Sequence, residues 1–148
     1  MIMYAAWRMR GMADSNVFKK LGVKANQRML ILNLPEGYQY ALGTLPPGVS
    51  VLNEADGTAT FDCVQVFVHS RADVQKYAKT ATSALKPGGM LWFSYPKKSS
   101  KIKTDISRDD GWDGLNALGL QGVSLISVDD TWSAMRFRPD SEIKSSKG

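Results

Sequence analysis

Three stretches of the chain are apolar at nearly every position: Arg28–Leu34 (RMLILNL), Phe61–Val68 (FDCVQVFV) and Met90–Tyr95 (MLWFSY). Runs of this kind predict strands covered on both faces. Between the second and third runs the pattern changes period. Val74, Tyr77, Ala78, Ala81 and Leu85 recur at helical spacing and predict a buried stripe. Ser70 stands at the N-cap position of that helix with Asp73 three residues on, a capping-box pattern. Lys86-Pro87-Gly88-Gly89 ends it, because proline lacks a donor and glycine accepts left-handed angles. A strand–helix–strand unit is the building block of doubly wound α/β folds, whose ligands sit at the carboxyl ends of the strands.

The flanking pattern extends this unit. Val17–Gly22 predicts a short helix, and Tyr38–Leu45 another, ended by Pro46-Pro47-Gly48. Val49–Glu54 predicts a short second strand, followed by a turn-rich connection at Ala55–Thr60. Pro96–Lys103 is a basic loop, and Thr104–Leu118 a weaker helix interrupted by Gly111 and Gly114. Val123–Val128 and Trp132–Arg138 are spaced as an antiparallel hairpin around Asp129-Asp130-Thr131. Residues 1–16 show no periodicity and are expected to form a flexible extension. Residues 17–138 form one domain and residues 139–148 a frayed tail. Met12-Ala13-Asp14 fits a translation start, with residues 1–11 as an upstream extension.

Composition narrows the class. A chain of 148 residues, 43% of them hydrophobic, is large enough for one packed core. No apolar run approaches the ~20 residues of a membrane-spanning helix or forms a signal peptide's central region. The single cysteine, Cys63, excludes an internal disulfide, lies in an apolar strand and points to a reducing cytoplasm. The net charge of +5 suits an anionic partner.

Phe61-Asp62 opening a strand, and Leu85-Lys86-Pro87-Gly88-Gly89 before the next, resemble a class I S-adenosylmethionine-dependent methyltransferase. The resemblance covers roughly three quarters of the chain. It implies a Rossmann-like three-layer sandwich with a mainly parallel sheet and a C-terminal antiparallel hairpin. Pro96-Lys97-Lys98-Ser99-Ser100-Lys101, Thr104-Asp105 and Asp129-Asp130-Thr131-Trp132-Ser133 resemble a bacterial family, the domain of unknown function 3052, over about Leu21–Pro139. That family looks like a pared-down methyltransferase fold and brings no activity with it.

Two departures disfavour S-adenosylmethionine as the cofactor. The turn after the first strand is Asn33-Leu34-Pro35-Glu36-Gly37, with one glycine, a proline without an N–H and a glutamate opposing a cofactor carboxylate. Only about seven residues separate Glu54 from Asp62, spanning at most roughly 24 Å. A direct parallel crossover just fits, without the strand and helices that wall an adenine pocket. The alternative is a hairpin at Asp56-Gly57.

The carboxyl ends of the predicted strands collect Asn33, Gly37, His69, Tyr95, Lys97, Lys98 and Ser99 as candidate ligand-binding residues. His69, the single histidine, is the candidate general base or proton shuttle. Glu54 is placed where an acid meets a ribose hydroxyl. Lys97, Lys98, Lys101 and Lys103 fall within seven residues, with Ser99, Ser100 and Thr104 as added donors, and suit a phosphate or carboxylate. Trp132, beside the hairpin turn, is a candidate to stack on a ligand ring. Each of these has a plainer alternative: a solvated acid, a capped loop histidine, a solubilising lysine loop, and for Trp132 a ring sealing the core edge. No metal-ligand set is visible.

Three functions follow. The first is a non-catalytic or unassigned domain binding a small anion or nucleotide-like ligand on a degenerate methyltransferase-like scaffold. The second is an S-adenosylmethionine-dependent methyltransferase with a shortened pocket. The third is nucleic-acid binding through a basic face of Lys19, Lys20, Lys24, Lys97, Lys98, Lys101 and Lys103. No membrane partner is expected, and an open sheet leaves edges for a homodimer.

Overall fold

A computed structural model of the chain describes residues 17–35 and 44–141. Gly37, Glu36, most of the helix expected at Tyr38–Leu45, the extension before Val17 and the end of the tail lie outside the described residues.

Six strands form one sheet: β1 (Arg28–Leu32), β2 (Ser50–Leu52), β3 (Phe61–Phe67), β4 (Leu85–Pro96), β5 (Leu120–Ser127) and β6 (Trp132–Pro139), in the order β2-β1-β3-β4-β6-β5. The first four are mutually parallel, and β6 is antiparallel to both of its neighbours. The second strand therefore pairs parallel with β1, at Arg28↔Ser50 through Leu30↔Leu52, and the hairpin alternative at Asp56-Gly57 does not form. The sheet is α/β and Rossmann-like.

Alternation along the strands builds two cores. Leu30, Val64, Val66, Leu91 and Phe93 face α2 (Arg71–Ala84) and α3 (Asp113–Asn116). Met29, Ile31, Cys63, Phe67 and Trp92 pack with Val17, Phe18 and Leu21 of α1 (Val17–Leu21) on the other face. Trp92 fixes α1 to the sheet by donating its indole N–H to Leu21 O at 3.0 Å. Val74, Ala78, Ala81 and Ala84 form the buried stripe of α2, while Tyr77 and Leu85 pack only partly buried against it. The helix ends at Ala84, one residue before the predicted stripe does, because Leu85 turns extended and pairs with Phe61.

The Lys-Pro-Gly-Gly element lies in the first part of β4, which pairs with β3 through an irregular step, with Phe61 opposite Leu85 and Cys63 opposite Met90. Its glycines serve different ends. Gly88 is left-handed (φ 82°) in open space. At Gly89 a Cβ would meet Asp62 O at 2.9 Å and Leu85 Cδ1 at 2.8 Å. Gly88→Ala is expected to cost about 1–2 kcal/mol from the backbone angle alone. Gly89→Ala should cost about 2–3 kcal/mol, because it forces the two strands apart. Urea unfolding of the two variants ranks them; equal losses would contradict the close-approach account.

Asp62 secures the amino edge. Its carboxylate accepts Arg28 N at 2.8 Å and meets Lys86 Nζ at 2.6 Å. Partial burial opposes its ionisation, but the Lys86 ammonium and the Arg28 N–H outweigh this and hold its pKa below the usual 3.8. Asp62 and Arg28 lie where the short crossover from β2 enters β3. Asp56 in that crossover pairs with Arg28 Nη2 at 2.8 Å, and Thr60 Oγ1 accepts from Arg28 Nη1 at 2.6 Å. A chain tied this tightly reaches β3 without a helix.

The helix expected over Thr104–Leu118 is confined to Asp113–Asn116. Local bonds compete for the backbone of the first part. Thr104 Oγ1 accepts Ile106 N at 3.1 Å, Ser107 N reaches Asp110 O at 3.0 Å, and the Trp112 indole donates to Ser107 O at 2.9 Å. Gly111 then takes a left-handed turn (φ 102°). Thr104 therefore does not begin a helix and offers no helix N-terminus to an anion. No helix among the described residues is long and apolar enough to cross a membrane.

Candidate functional site

Parallel strands put their carboxyl ends on one edge of the sheet, and the predicted residues lie along it. Asn33 follows β1 in a left-handed conformation (φ 60°), which asparagine tolerates better than most residues. Its side-chain amide donates to Phe67 O at 2.8 Å and so ties the tip of β1 to the tip of β3.

His69 lies between β3 and α2. Its backbone N–H donates to Asp73 Oδ2 at 2.9 Å, and Asp73 N donates to Ser70 Oγ at 3.2 Å. The capping box thus forms with one change: the acid reaches back to His69, one residue before the N-cap. The imidazole Nδ1 is 3.6 Å from Asp73 Oδ2, and the half-exposed ring stands edge-on to Trp132 at 5.3 Å between centroids. Trp132 in turn stands edge-on to Phe67 at 5.1 Å. Asn33, Phe67, His69 and Trp132 therefore form one continuous run of contacts. Trp132 is 2% exposed, so it seals the core beneath this edge as a packing residue.

The lysine end of the predicted site is arranged differently. Tyr95 is 6% exposed, and burial raises its pKa. Its ring packs edge-on to Trp112 at 5.4 Å, on the α2 side of the sheet. Tyr95, Lys97, Lys98, Ser107, Arg108, Asp109 and Ser133 line an open hollow of about 270 Å³. Lys97 N donates to Thr131 O at 2.7 Å, which holds the loop against the hairpin turn. Lys97 Nζ donates to Ser127 Oγ at 2.7 Å, at the end of β5. Ser99 is exposed in the turn closed by Ser100 N and Oγ on Lys97 O, at 2.9 and 2.7 Å. The predicted residues thus fall into two groups: Asn33 and His69 over β1 and β3, and Tyr95, Lys97 and Lys98 around the β4 hollow.

Two partners of the lysines were not legible in the sequence. Lys20, from α1, donates to Ser127 O at 2.9 Å, so its ammonium joins that of Lys97 on one serine. Arg108 also enters the hollow. Nothing in local spacing connects α1, the end of β5 and the loop after Tyr95; only the strand order does.

Cys63 is fully buried, and its thiol is pushed up to about 12 by that burial and then by the neighbouring Asp62 charge, which Arg136 opposes. It has no thiolate to offer at neutral pH. Among the described residues no group of three or more His, Cys, Asp and Glu side chains is placed to hold a metal ion.

Solved structures of similar shape include S-adenosylmethionine-dependent methyltransferases. A DhpI–SAH complex matches with a TM-score of 0.55 at 16% identity, over 84% of this chain and 82% of that one. A S-adenosylmethionine-dependent methyltransferase from Aquifex aeolicus matches with a TM-score of 0.53 at 15% identity, over 88% and 91%. A protein from Pyrococcus horikoshii OT3 matches with a TM-score of 0.54 at 11% identity, over 93% and 96%. At these identities the likeness concerns the fold. No family model and no curated protein matches the chain in sequence.

Proposed function

We propose that this chain is a methyltransferase-fold domain that binds an S-adenosyl-type nucleoside, or a related anionic nucleotide-like ligand, at the carboxyl edge of β1 and β3. The supporting observation is the strand order itself, with four parallel strands, the antiparallel β6 inserted before β5, and the crevice bridged by Asn33 on Phe67 O. The fold likeness favours S-adenosylmethionine-dependent methyl transfer over a non-catalytic role. His69 and its Asp73 partner are the groups available to move a proton there.

The described residues fit such a ligand on one side only. Glu54 is exposed just beyond β2, at the strand end where α/β folds place an acid on a ribose hydroxyl. Residues 53–60 return to β3 without a helix or a further strand, so the wall that encloses an adenine is missing. The same gap favours a second reading, a binding domain without transfer, in which the lysines around the β4 hollow hold a phosphate or carboxylate. Membership of the domain of unknown function 3052 family belongs to this proposal. Residues carrying that resemblance have structural tasks at the rim: Asp105 Oδ1 accepts Arg71 N at 2.8 Å, and Asp129 Oδ1 accepts both Thr131 N and Trp132 N at 2.8 Å.

Calorimetry with S-adenosylmethionine and S-adenosylhomocysteine separates the readings. Binding that Glu54→Gln weakens supports the first; no heat at millimolar ligand removes it. Thermal shift with phosphate, pyrophosphate and AMP tests the second. Stabilisation that Lys97→Ala plus Lys98→Ala abolishes is expected, and an unchanged shift in that variant ends it. The meeting of Lys20 and Lys97 at Ser127 favours a shared basic face, so gel shifts at low and moderate salt test nucleic-acid binding alongside.

A further inference from the structure

The floor of the hollow at the end of β4 is a tyrosine. Tyr95 is 6% exposed, and its ring packs edge-on to Trp112 at 5.4 Å. The charged groups that bear on its hydroxyl are Arg108 and Asp109, and both line the hollow with it. The hydroxyl therefore lies on the hollow's side of the ring. It joins no hydrogen bond among the described residues. Buried tyrosine hydroxyls usually find a partner. Burial also raises the pKa of this phenol, so at neutral pH it keeps its proton and is an unused donor at the base of a polar space.

The rim supplies charge, and its cations are not equivalent. Lys97 is committed elsewhere: its N–H donates to Thr131 O and its Nζ to Ser127 Oγ, both at 2.7 Å. Lys98 and Arg108 are exposed, and Arg108 Nε stands 3.6 Å from the carboxylate of its chain neighbour Asp109. Two hydroxyls, on Ser107 and Ser133, complete the lining. Ser107 Oγ accepts Asp110 N at 3.2 Å and keeps its own proton to give. Donors and positive charge thus exceed acceptors in this hollow, where Asp109 is the single acid.

Building on the second reading above, in which this hollow takes an anion, we infer that its ligand is the phosphate end of a small phosphate monoester. The Tyr95 hydroxyl donates to one oxygen from the floor, and Lys98 and Arg108 meet the others from the rim. A phosphate monoester carries nearly two negative charges at neutral pH and three free oxygens. These match two uncommitted cations and a separate donor beneath them. A carboxylate brings half the charge and one oxygen fewer. The guanidinium of Arg108 adds a fork suited to two phosphate oxygens. The hollow, at about 270 Å³, lies at the low end of ligand pockets, so the body of the ester is a few carbon atoms and not a whole nucleotide. Asp109 opposes the ligand and holds the affinity down. Lys97 is a positioning residue, which fixes the loop that carries Lys98 against the hairpin turn.

Calorimetry of the full chain at fixed ionic strength, with glycerol 3-phosphate and lactate as probes, tests this. Glycerol 3-phosphate is expected to bind more tightly than lactate. Tyr95→Phe keeps the ring against Trp112, so its melting temperature should stay at the wild-type value while affinity for glycerol 3-phosphate falls about tenfold or more, the effect of one hydrogen bond to a charged group. Lys98→Gln and Arg108→Gln should each weaken binding, and Asp109→Asn should tighten it, a sign that a purely structural role does not produce. Binding that Tyr95→Phe leaves unchanged overturns the inference; if Lys97→Ala plus Lys98→Ala still abolishes that binding, the second reading stands without it. Lactate binding as tightly as glycerol 3-phosphate overturns it as well. No heat from either probe at millimolar concentration does the same, and joined to the absence of a thermal shift with phosphate it takes the second reading with it.

Discussion

Trp132→Ala is expected to remove about 3–5 kcal/mol of stability, the range for deleting a large buried aromatic. For a domain of this size the melting temperature then falls by roughly 10–15 °C. The indole is 2% exposed and packs edge-on to Phe67 and His69 at 5.1 and 5.3 Å. The backbone of the same residue closes the β5–β6 turn, because Trp132 O accepts Val128 N at 2.9 Å and Asp129 N at 3.2 Å. The variant keeps these bonds and loses the indole with its contacts to Phe67 and His69. Trp132→Phe refills part of the cavity and should cost less than half as much. Paired thermal and urea melts measure both; a Trp132→Ala loss below about 1 kcal/mol would show that the ring is a solvent-side platform, the ligand-stacking alternative, and not the floor of the site.

The strands that build this floor were legible because each carries a one-residue-in-two signature or a continuous apolar run. Phe61–Val68 and Met90–Tyr95 could only be buried on both sides, and Ser70 with Asp73 marked the helix between them. The parallel placement of β2 was open on sequence alone. The short loop at 53–60 permits either pairing, and the choice is made by Arg28 holding Asp56 and Thr60, three residues that no local pattern connects. The helix expected over Thr104–Leu118 failed for the opposite reason. Thr104, Ser107 and Trp112 satisfy the backbone through short-range bonds, and Gly111 turns the chain away.

The site was legible as an edge and not as a set of contacts. Strand polarity places Asn33, His69, Tyr95 and Lys97 at the same end of the sheet, and that much follows from the topology. Side-chain direction does not follow. Tyr95 turns under the sheet toward Trp112, and Lys97 reaches across to Ser127, where it meets Lys20 from α1. A long flexible lysine has many rotamers, and its partner is decided by whichever acceptor the fold brings near.

Asn33 yields the sharpest test of whether the crevice between β1 and β3 is a built feature. Two properties are combined at this position, a left-handed backbone (φ 60°) and a side-chain bond to Phe67 O at 2.8 Å. Asn33→Gly keeps the first and removes the second, so it should cost about 1 kcal/mol, the net worth of one hydrogen bond. Asn33→Val removes both. A β-branched residue at positive φ is strained by about 1–2 kcal/mol, and with the lost bond the total reaches roughly 2–3 kcal/mol. Urea unfolding should therefore order the proteins wild type, Gly variant, Val variant, with the second step at least as large as the first. If instead the two variants lose the same amount, the backbone relaxes freely and the conformation of Asn33 is incidental. If the Gly variant is as stable as wild type, the tie between strand tips carries nothing, and the space beside it is a gap between loops with no shape of its own to offer a ligand.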